Sequence, residues 1–150
     1  MTNDLKHIAV IGSRGFANPG AVRTFVAALP KDTVVVSGAA RGVDIWAEEA
    51  AEAAGIATLI FHADWDRLGR RAGPIRNEQI IAAADEVVAF WDGTSRGTLN
   101  AVYLATEKGI PIRVLDAAGR DAPIGTVLEA ASALGVIDAL MKARGKNADM

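Results

Sequence analysis

Short apolar runs alternate along the chain with longer segments in which apolar residues recur at helical spacing. His7 to Ile11 is such a run, closed by Gly12, and predicts a buried strand. Ala21 to Leu29 sets Val22, Phe25, Val26 and Leu29 on one helical face. Pro30-Lys31-Asp32 is a turn, and Thr33 to Val36 is the second strand. Val43 to Ala54, rich in Ala and Glu and ended by Gly55, predicts a helix. Ile56 to Phe61 is the third strand. His62 to Arg71 is polar, has no clear period and exceeds a minimal connection, as functional loops often do. Pro74 suits the start of a helix running to about Ala84. Glu86 to Trp91 follows as the fourth strand, Thr98 to Lys108 as a helix, Pro111 to Leu115 as the fifth strand, and Ile124 to Arg144 as one closing helix. The ends, residues 1–6 and 145–150, are expected to fray.

Strands and helices thus alternate, with single helical crossovers of suitable length. Right-handed crossovers then imply an α/β fold: a Rossmann-like, doubly wound sheet of about five mostly parallel strands, with helices on both faces. No linker or internal repeat divides residues 1–150, so one domain is expected. Hydrophobic residues make up 51% of the chain but aromatic ones only 5%, so the core is aliphatic, as a sheet covered on both faces requires. The closing helix carries Ile124, Val127, Leu128, Ala131, Leu134, Ile137, Leu140 and Met141. Any part of that stripe not packed on the sheet would favour a homo-oligomer, a dimer in the simplest case.

Composition also removes several kinds of chemistry. The absence of cysteine excludes disulfides, thiolate metal sites and cysteine nucleophiles. His7 and His62 are isolated, so no metal site is expected. No apolar run approaches the roughly 18 residues of a membrane span, and the expectation is a cytoplasmic protein without a membrane partner. The formal net charge of -2 argues against nucleic acid as a partner, because phosphates attract a positive field. A local basic patch is compatible with that sum.

In a sheet of this kind ligands bind beyond the carboxyl ends of the strands. Three loops leaving strands carry glycine. The first is Gly12-Ser13-Arg14-Gly15, the second Ser37-Gly38-Ala39-Ala40-Arg41-Gly42, and the third Trp91-Asp92-Gly93-Thr94-Ser95-Arg96-Gly97-Thr98. Glycine lets backbone approach a ligand, and backbone N–H groups at a helix start attract anions. Asp44, in the first helical turn, is either a ligand contact or a partner of the helix dipole. Thr98 is either an N-cap or a phosphate ligand. Trp65 stacks on a base or caps the core, while Arg76 and Asn77 sit in the first turn of their helix with ligand-pairing roles open to both. The candidate ligand-binding set is Gly12, Ser13, Arg14, Gly38, Ala39, Arg41, Gly42, Asp44, Trp65, Arg76, Asn77, Asp92, Gly93, Ser95, Gly97 and Thr98. Neither a GxGxxG fingerprint nor a Walker lysine is present, which disfavours NAD dehydrogenases and P-loop ATPases.

Taken together, Ile11-Gly12-Ser13-Arg14, Gly38 to Asp44, Asp64-Trp65, Ala72 to Asn77, Trp91-Asp92-Gly93 and Gly97-Thr98 resemble the SLOG superfamily, in family order. The match is to its stand-alone bacterial and phage branch related to YspA and YpsA, and the second loop also resembles that of DNA-processing protein A. The resemblance implies a Rossmann-like pocket for nucleotides or their derivatives. In the related LOG phosphoribohydrolases, an Arg at a helix start pairs with a Gly-Gly-x-Gly-Thr loop followed by Glu. Arg76 and Gly97-Thr98 match that signature, but Leu99, Asn100 and Ala101 supply no carboxylate.

The first expectation is therefore a sensor or binding module for a nucleotide-derived small molecule, with phosphate on the second and third loops and no certain cofactor. The alternative is a nucleotide N-glycosidase using a relocated carboxylate from Asp64, Asp66, Asp92 or Glu78, since glycosidic cleavage draws on one. A further alternative, from the resemblance to DNA-processing protein A, is a protein associated with single-stranded DNA.

Overall fold

The apolar runs pair side by side into one parallel sheet. In the computed structural model, which describes residues 5–148, the strands are β1 (Lys6–Gly12), β2 (Thr33–Ser37), β3 (Ala57–Ile60), β4 (Glu86–Phe90) and β5 (Ile112–Leu115). Their order is β3-β2-β1-β4-β5, and every pairing is parallel. The helices are α1 (Pro19–Ala27), α2 (Val43–Ala54), α3 (Trp65–Leu68), α4 (Ala72–Ala83), α5 (Arg96–Lys108), α6 (Ile124–Ala133) and α7 (Val136–Ala148). The expected Rossmann-like, doubly wound fold is the one formed.

Alternation along the central strands sorts the two cores. Ile8, Val10, Val35, Val88 and Phe90 face α1 and α2, with Val22, Val26, Val43 and Ala47 packed on them. Ala9, Ile11, Val36, Val87 and Ala89 face the other way, onto α4, α5, α6 and α7. Phe90 is fully buried and meets Phe16 and Phe25 edge-on, at centroid distances of 5.5 and 5.9 Å. These three rings hold the β1 exit loop, which contains Phe16, against the sheet.

From β1 the chain proceeds to β2 on one side and, after β3, crosses to β4 on the other. The loops leaving β1 and β4 therefore diverge, and they leave a crevice at their carboxyl ends.

The structure departs from the sequence reading in five places. The closing helix is two helices, α6 and α7, because Gly135 takes a left-handed conformation (φ 74°) between them. The polar stretch after β3 is not all loop: Asp64 caps the one-turn α3 by accepting from Arg67 N, and a 3-10 turn, Gly69–Arg71, leads into α4. That helix starts at Ala72, so Arg76 and Asn77 lie beyond its first turn. The N-cap of α5 is Ser95, whose side chain accepts from Thr98 N, so Thr98 is inside the helix. Lys6 belongs to β1, and α7 continues past Gly145 to Ala148; the remaining terminal residues expected to fray lie outside the described residues. Of the apolar stripe on α6 and α7, Leu134 and Met141 are exposed and the other six are buried or half-buried. Among the described residues no single helix is long and apolar enough to cross a membrane.

Candidate functional site

The β1 loop is locked to β4 before any ligand is considered. Ser13 N donates to Phe90 O (3.0 Å), and the buried Ser13 hydroxyl accepts from Asp92 N (3.0 Å) and lies 3.3 Å from Thr98 Oγ1. The loop glycines serve close packing between loops. A Cβ on Gly12 would meet Phe90 O and lie 2.6 Å from Val43 Cγ2. One on Gly42, which has φ 80°, would lie 2.8 Å from Arg14 O, and one on Gly38 would lie 2.7 Å from Arg76 Cδ.

The second loop has an occupant from its own chain. Gly38 N and Ala40 N both donate to Asp44 Oδ2 (3.2 Å each), and Ala39 N donates to Glu48 Oε2 (3.0 Å). Ser37 Oγ donates to the same Glu48 oxygen (2.5 Å). These bonds hold Ala39 in a left-handed conformation, φ 57°, that a non-glycine residue adopts only when its surroundings impose it. The three consecutive amides that sequence reading offers to a phosphate are thus taken by two carboxylates one helical turn apart on α2. Asp44 is 5% exposed. Burial pushes its carboxyl up to about 6, against the lowering effect of the Ala40 and Gly38 amides and of Arg76.

Arg76 bridges this loop to the rest of the site. Its Nη1 donates to Gly38 O (2.7 Å) and its Nε to Asn77 Oδ1 (3.2 Å). Burial lowers its pKa and the nearby Asp44 charge opposes that. Asn77 Nδ2 in turn donates to Gly97 O (3.2 Å) and Asn100 Oδ1 (2.9 Å). The third loop is self-braced: Asp92 Oδ1 accepts from Thr94 N and Ser95 N, and Trp91 Nε1 donates to Ser95 O. Partial burial raises the Asp92 pKa, but the Thr94 and Ser95 bonds outweigh it and hold the carboxyl below its usual range.

A cavity of about 580 Å³ opens at the β1/β4 crevice. Of the candidate residues, Gly12, Arg14, Asp44, Trp65, Arg76, Asn77, Asp92, Ser95, Gly97 and Thr98 line it. Ser13, Gly38, Ala39, Arg41, Gly42 and Gly93 do not; they shape the loops behind or beside it, and Arg41 is exposed. Of the carboxylates considered as glycosidic substitutes, Asp92 lines the cavity, while Asp64 caps α3 and Asp66 and Glu78 lie elsewhere. Sequence reasoning missed the far wall, made by α7 through Val136, Ala139, Leu140 and Ala143, and it missed Asn100 as a lining side chain. The glycine that ends α6 is the signal for that wall. Among the described residues no group of three or more metal-ligating side chains converges.

The mouth of the cavity is cationic and partly aromatic. Trp65 is 48% exposed, packs over Gly73 at the start of α4, and has the Arg14 guanidinium 5.7 Å from its ring centroid, within cation–π range. Arg14, Arg41, Arg67, Arg70, Arg71, Arg76 and Arg96 all lie on the segments following β1 to β4, out of 16 lysines and arginines in the chain. Asp64 pairs with Arg67 (3.2 Å), while Asp44 and Asp92 line the cavity beside Arg14, Arg76 and Arg96.

The fold is shared with two structures of DNA processing protein A. The chain belongs to the family of the Gene 61 protein of Mycobacterium phage D29, to which it is 38% identical over 89 residues, covering 55% of this chain and 71% of that protein. Residues 1–65 match the family described as DNA recombination-mediator protein A. The fold is similar to DNA processing protein A from Streptococcus pneumoniae (TM-score 0.65, 24% identity, 74% of this chain). It is also similar to that from Helicobacter pylori (TM-score 0.57, 23% identity, 74% of this chain), whose structure is described by its single-stranded DNA binding mode. The chain spans 50% and 65% of the lengths of those two proteins.

These relatives overturn the expectation that nucleic acid is not a partner class for a chain like this one. The physical reason is that net charge is a sum over the whole surface, whereas Arg14, Arg76 and Arg96 converge on one cavity at the carboxyl edge of the sheet.

Proposed function

We propose that this protein binds single-stranded DNA across the carboxyl edge of its sheet, in the cytoplasm. The observation that carries the reading is the arginine-rich mouth around an exposed tryptophan. Guanidinium groups attract the phosphates, and an exposed indole offers a stacking platform to any base. The names of the family and of the structural relatives support the same partner class. A free nucleotide-derived ligand is the second reading, favoured by the cavity volume of about 580 Å³, which suits one small molecule.

Fluorescence anisotropy with a labelled oligothymidylate across a salt series tests the proposal. Affinity should fall as salt rises. Arg14→Ala with Arg71→Ala should weaken binding and flatten the logarithmic salt slope by about 0.7 for each phosphate that an arginine no longer neutralises. Absence of binding at low salt, or a doubly substituted protein with unchanged affinity and slope, would overturn it. Calorimetric binding of a mononucleotide in place of the strand would favour the second reading.

A further inference from the structure

The two edges of the sheet are finished differently. Outside β5 the chain turns back on itself: Ala122 N donates to Val114 O (2.8 Å), Leu115 bridges Asp121, and Arg113 pairs with Asp121 (2.8 Å). Outside β3, among the described residues, nothing is paired. Phe61 N donates to Ser37 O (2.9 Å), and backbone groups alternate sides along a strand, so Ala57 and Leu59 also turn theirs to β2. Thr58 and Ile60 therefore point N–H and C=O outward, where no other described residue meets them. Proteins usually blunt such an edge with lysine, proline or a bulge. From Gly55 to Ala63 this chain has no Asp, Glu, Lys, Arg or Pro. We infer that β3 pairs antiparallel with β3 of a second copy of this chain, about a two-fold axis at Leu59.

The register follows from the exposed groups. With the axis at Leu59, Thr58 exchanges N–H···O bonds in both directions with Ile60 of the partner subunit, and Ile60 does the same with the partner's Thr58. The two Leu59 residues then face each other as a non-hydrogen-bonded pair, about 4.5 Å apart at Cα. Leu59 is in register with Val36 and shares the face on which α4 packs over β1 and β2, yet it is left 37% exposed. Pairing covers that apolar surface. Charge selects an identical partner over other strands. A charged edge that meets its own copy sets like charges opposite each other; this edge sets none, and it offers a charged peptide no counter-charge. Closure selects two copies. Each has one open edge, so the two five-stranded sheets join into one whose outer edges are both β5 and both covered. Strand β2 separates β3 from β1 and β4, so the pairing leaves the crevice free.

The ladder is short, so association is expected in the micromolar range. Sedimentation velocity of the full chain, from about 1 to 200 µM, should show the mass rising from that of one chain toward that of two. Thr58→Pro removes an outward donor and no bond to β2, and Leu59→Lys puts like charges on the axis. Each should weaken association about tenfold or more, with the circular dichroism of the wild type. A third variant, Leu59→Cys, places one thiol in a chain that has no other cysteine. It should form a disulfide-linked dimer under mild oxidation, because opposed residues of a non-hydrogen-bonded pair lie within disulfide reach. Met141→Cys, at an exposed position on α7, should not. A monomer at every concentration would overturn the inference. So would dimerisation unchanged in both Thr58→Pro and Leu59→Lys, faster cross-linking in Met141→Cys than in Leu59→Cys, or growth past the dimer. Where Thr58→Pro or Leu59→Lys loses its fold, the two cysteine variants decide.

Discussion

Asp44 makes the electrostatics of the second loop measurable. Its carboxyl is 5% exposed and accepts two backbone N–H bonds, at 3.2 Å each, from Gly38 and Ala40. Burial nevertheless dominates and lifts it from 3.8 to about 6. The folded protein then holds a proton that the unfolded chain has released. Stability from this group is fully present below the unfolded value and is lost as pH rises through about 6. The difference amounts to about 2 kcal/mol between about pH 4 and pH 7. Asp44→Asn keeps an oxygen for both amides and cannot ionise. Urea unfolding of the two proteins over that range isolates the effect, because every other titrating group is shared. The stability of wild type relative to Asp44→Asn should decline by about 2 kcal/mol on going from pH 4 to pH 7. A flat difference, or a wild type that gains on the variant as pH rises, would refute the reasoning. It would mean that the two amides and Arg76 outweigh burial.

Three glycine substitutions separate packing from binding. Gly12→Ala drives a methyl into Phe90 O and Val43, buried groups that cannot withdraw, and should cost about 1–3 kcal/mol in thermal or urea unfolding. Gly38→Ala meets only the flexible Arg76 side chain, at 2.7 Å from Cδ. It should change stability by less than about 1 kcal/mol yet weaken oligonucleotide binding several-fold by displacing that guanidinium. Gly135→Ala forces a side chain into φ 74° at the α6–α7 break and should cost about 1–2 kcal/mol; equal melting temperatures would show that the break relaxes into a continuous helix.

The parts of the fold that were legible are those where one signal dominates. Val34-Val35-Val36 and Val87-Val88-Ala89-Phe90 are apolar on both faces, which only a central parallel strand uses, and α2 lies between its two glycines as its composition predicts. The α6–α7 break was hidden because the apolar stripe continues across Gly135, and periodicity does not register a change of direction. Helix α3 was hidden because four residues are too few to carry a period; its cap at Asp64 is the readable trace. The candidate site was legible as a set of loops and less so as a surface. Asp44 and Glu48 stand four apart on α2 and so share a face, and that spacing signals that both can reach back onto the same loop. Taken singly, one reads as a dipole partner and the other as a surface charge.

That self-capped loop narrows where an anion can sit. The sheet has two exits beside β1, and the amides of the β2 exit are spent on Asp44 and Glu48. A phosphate near them would face a second negative charge whenever Asp44 is ionised. The β1 and β4 exits diverge, and there Arg14 and Arg96 border the cavity while Arg76 approaches it from α4. Screening makes this local arrangement decisive. At physiological salt a charge is felt over about 8 Å, so acidic residues that do not line the cavity, such as Glu52, Glu107 and Glu129, weigh less at the mouth than Arg14, Arg76 and Arg96, which do line it. A chain can therefore carry a formal charge of -2 and still present phosphates with a positive edge. Topology selects the crevice, the carboxylates of α2 close the neighbouring loop to anions, and the arginines of the remaining segments set the sign of what the crevice attracts.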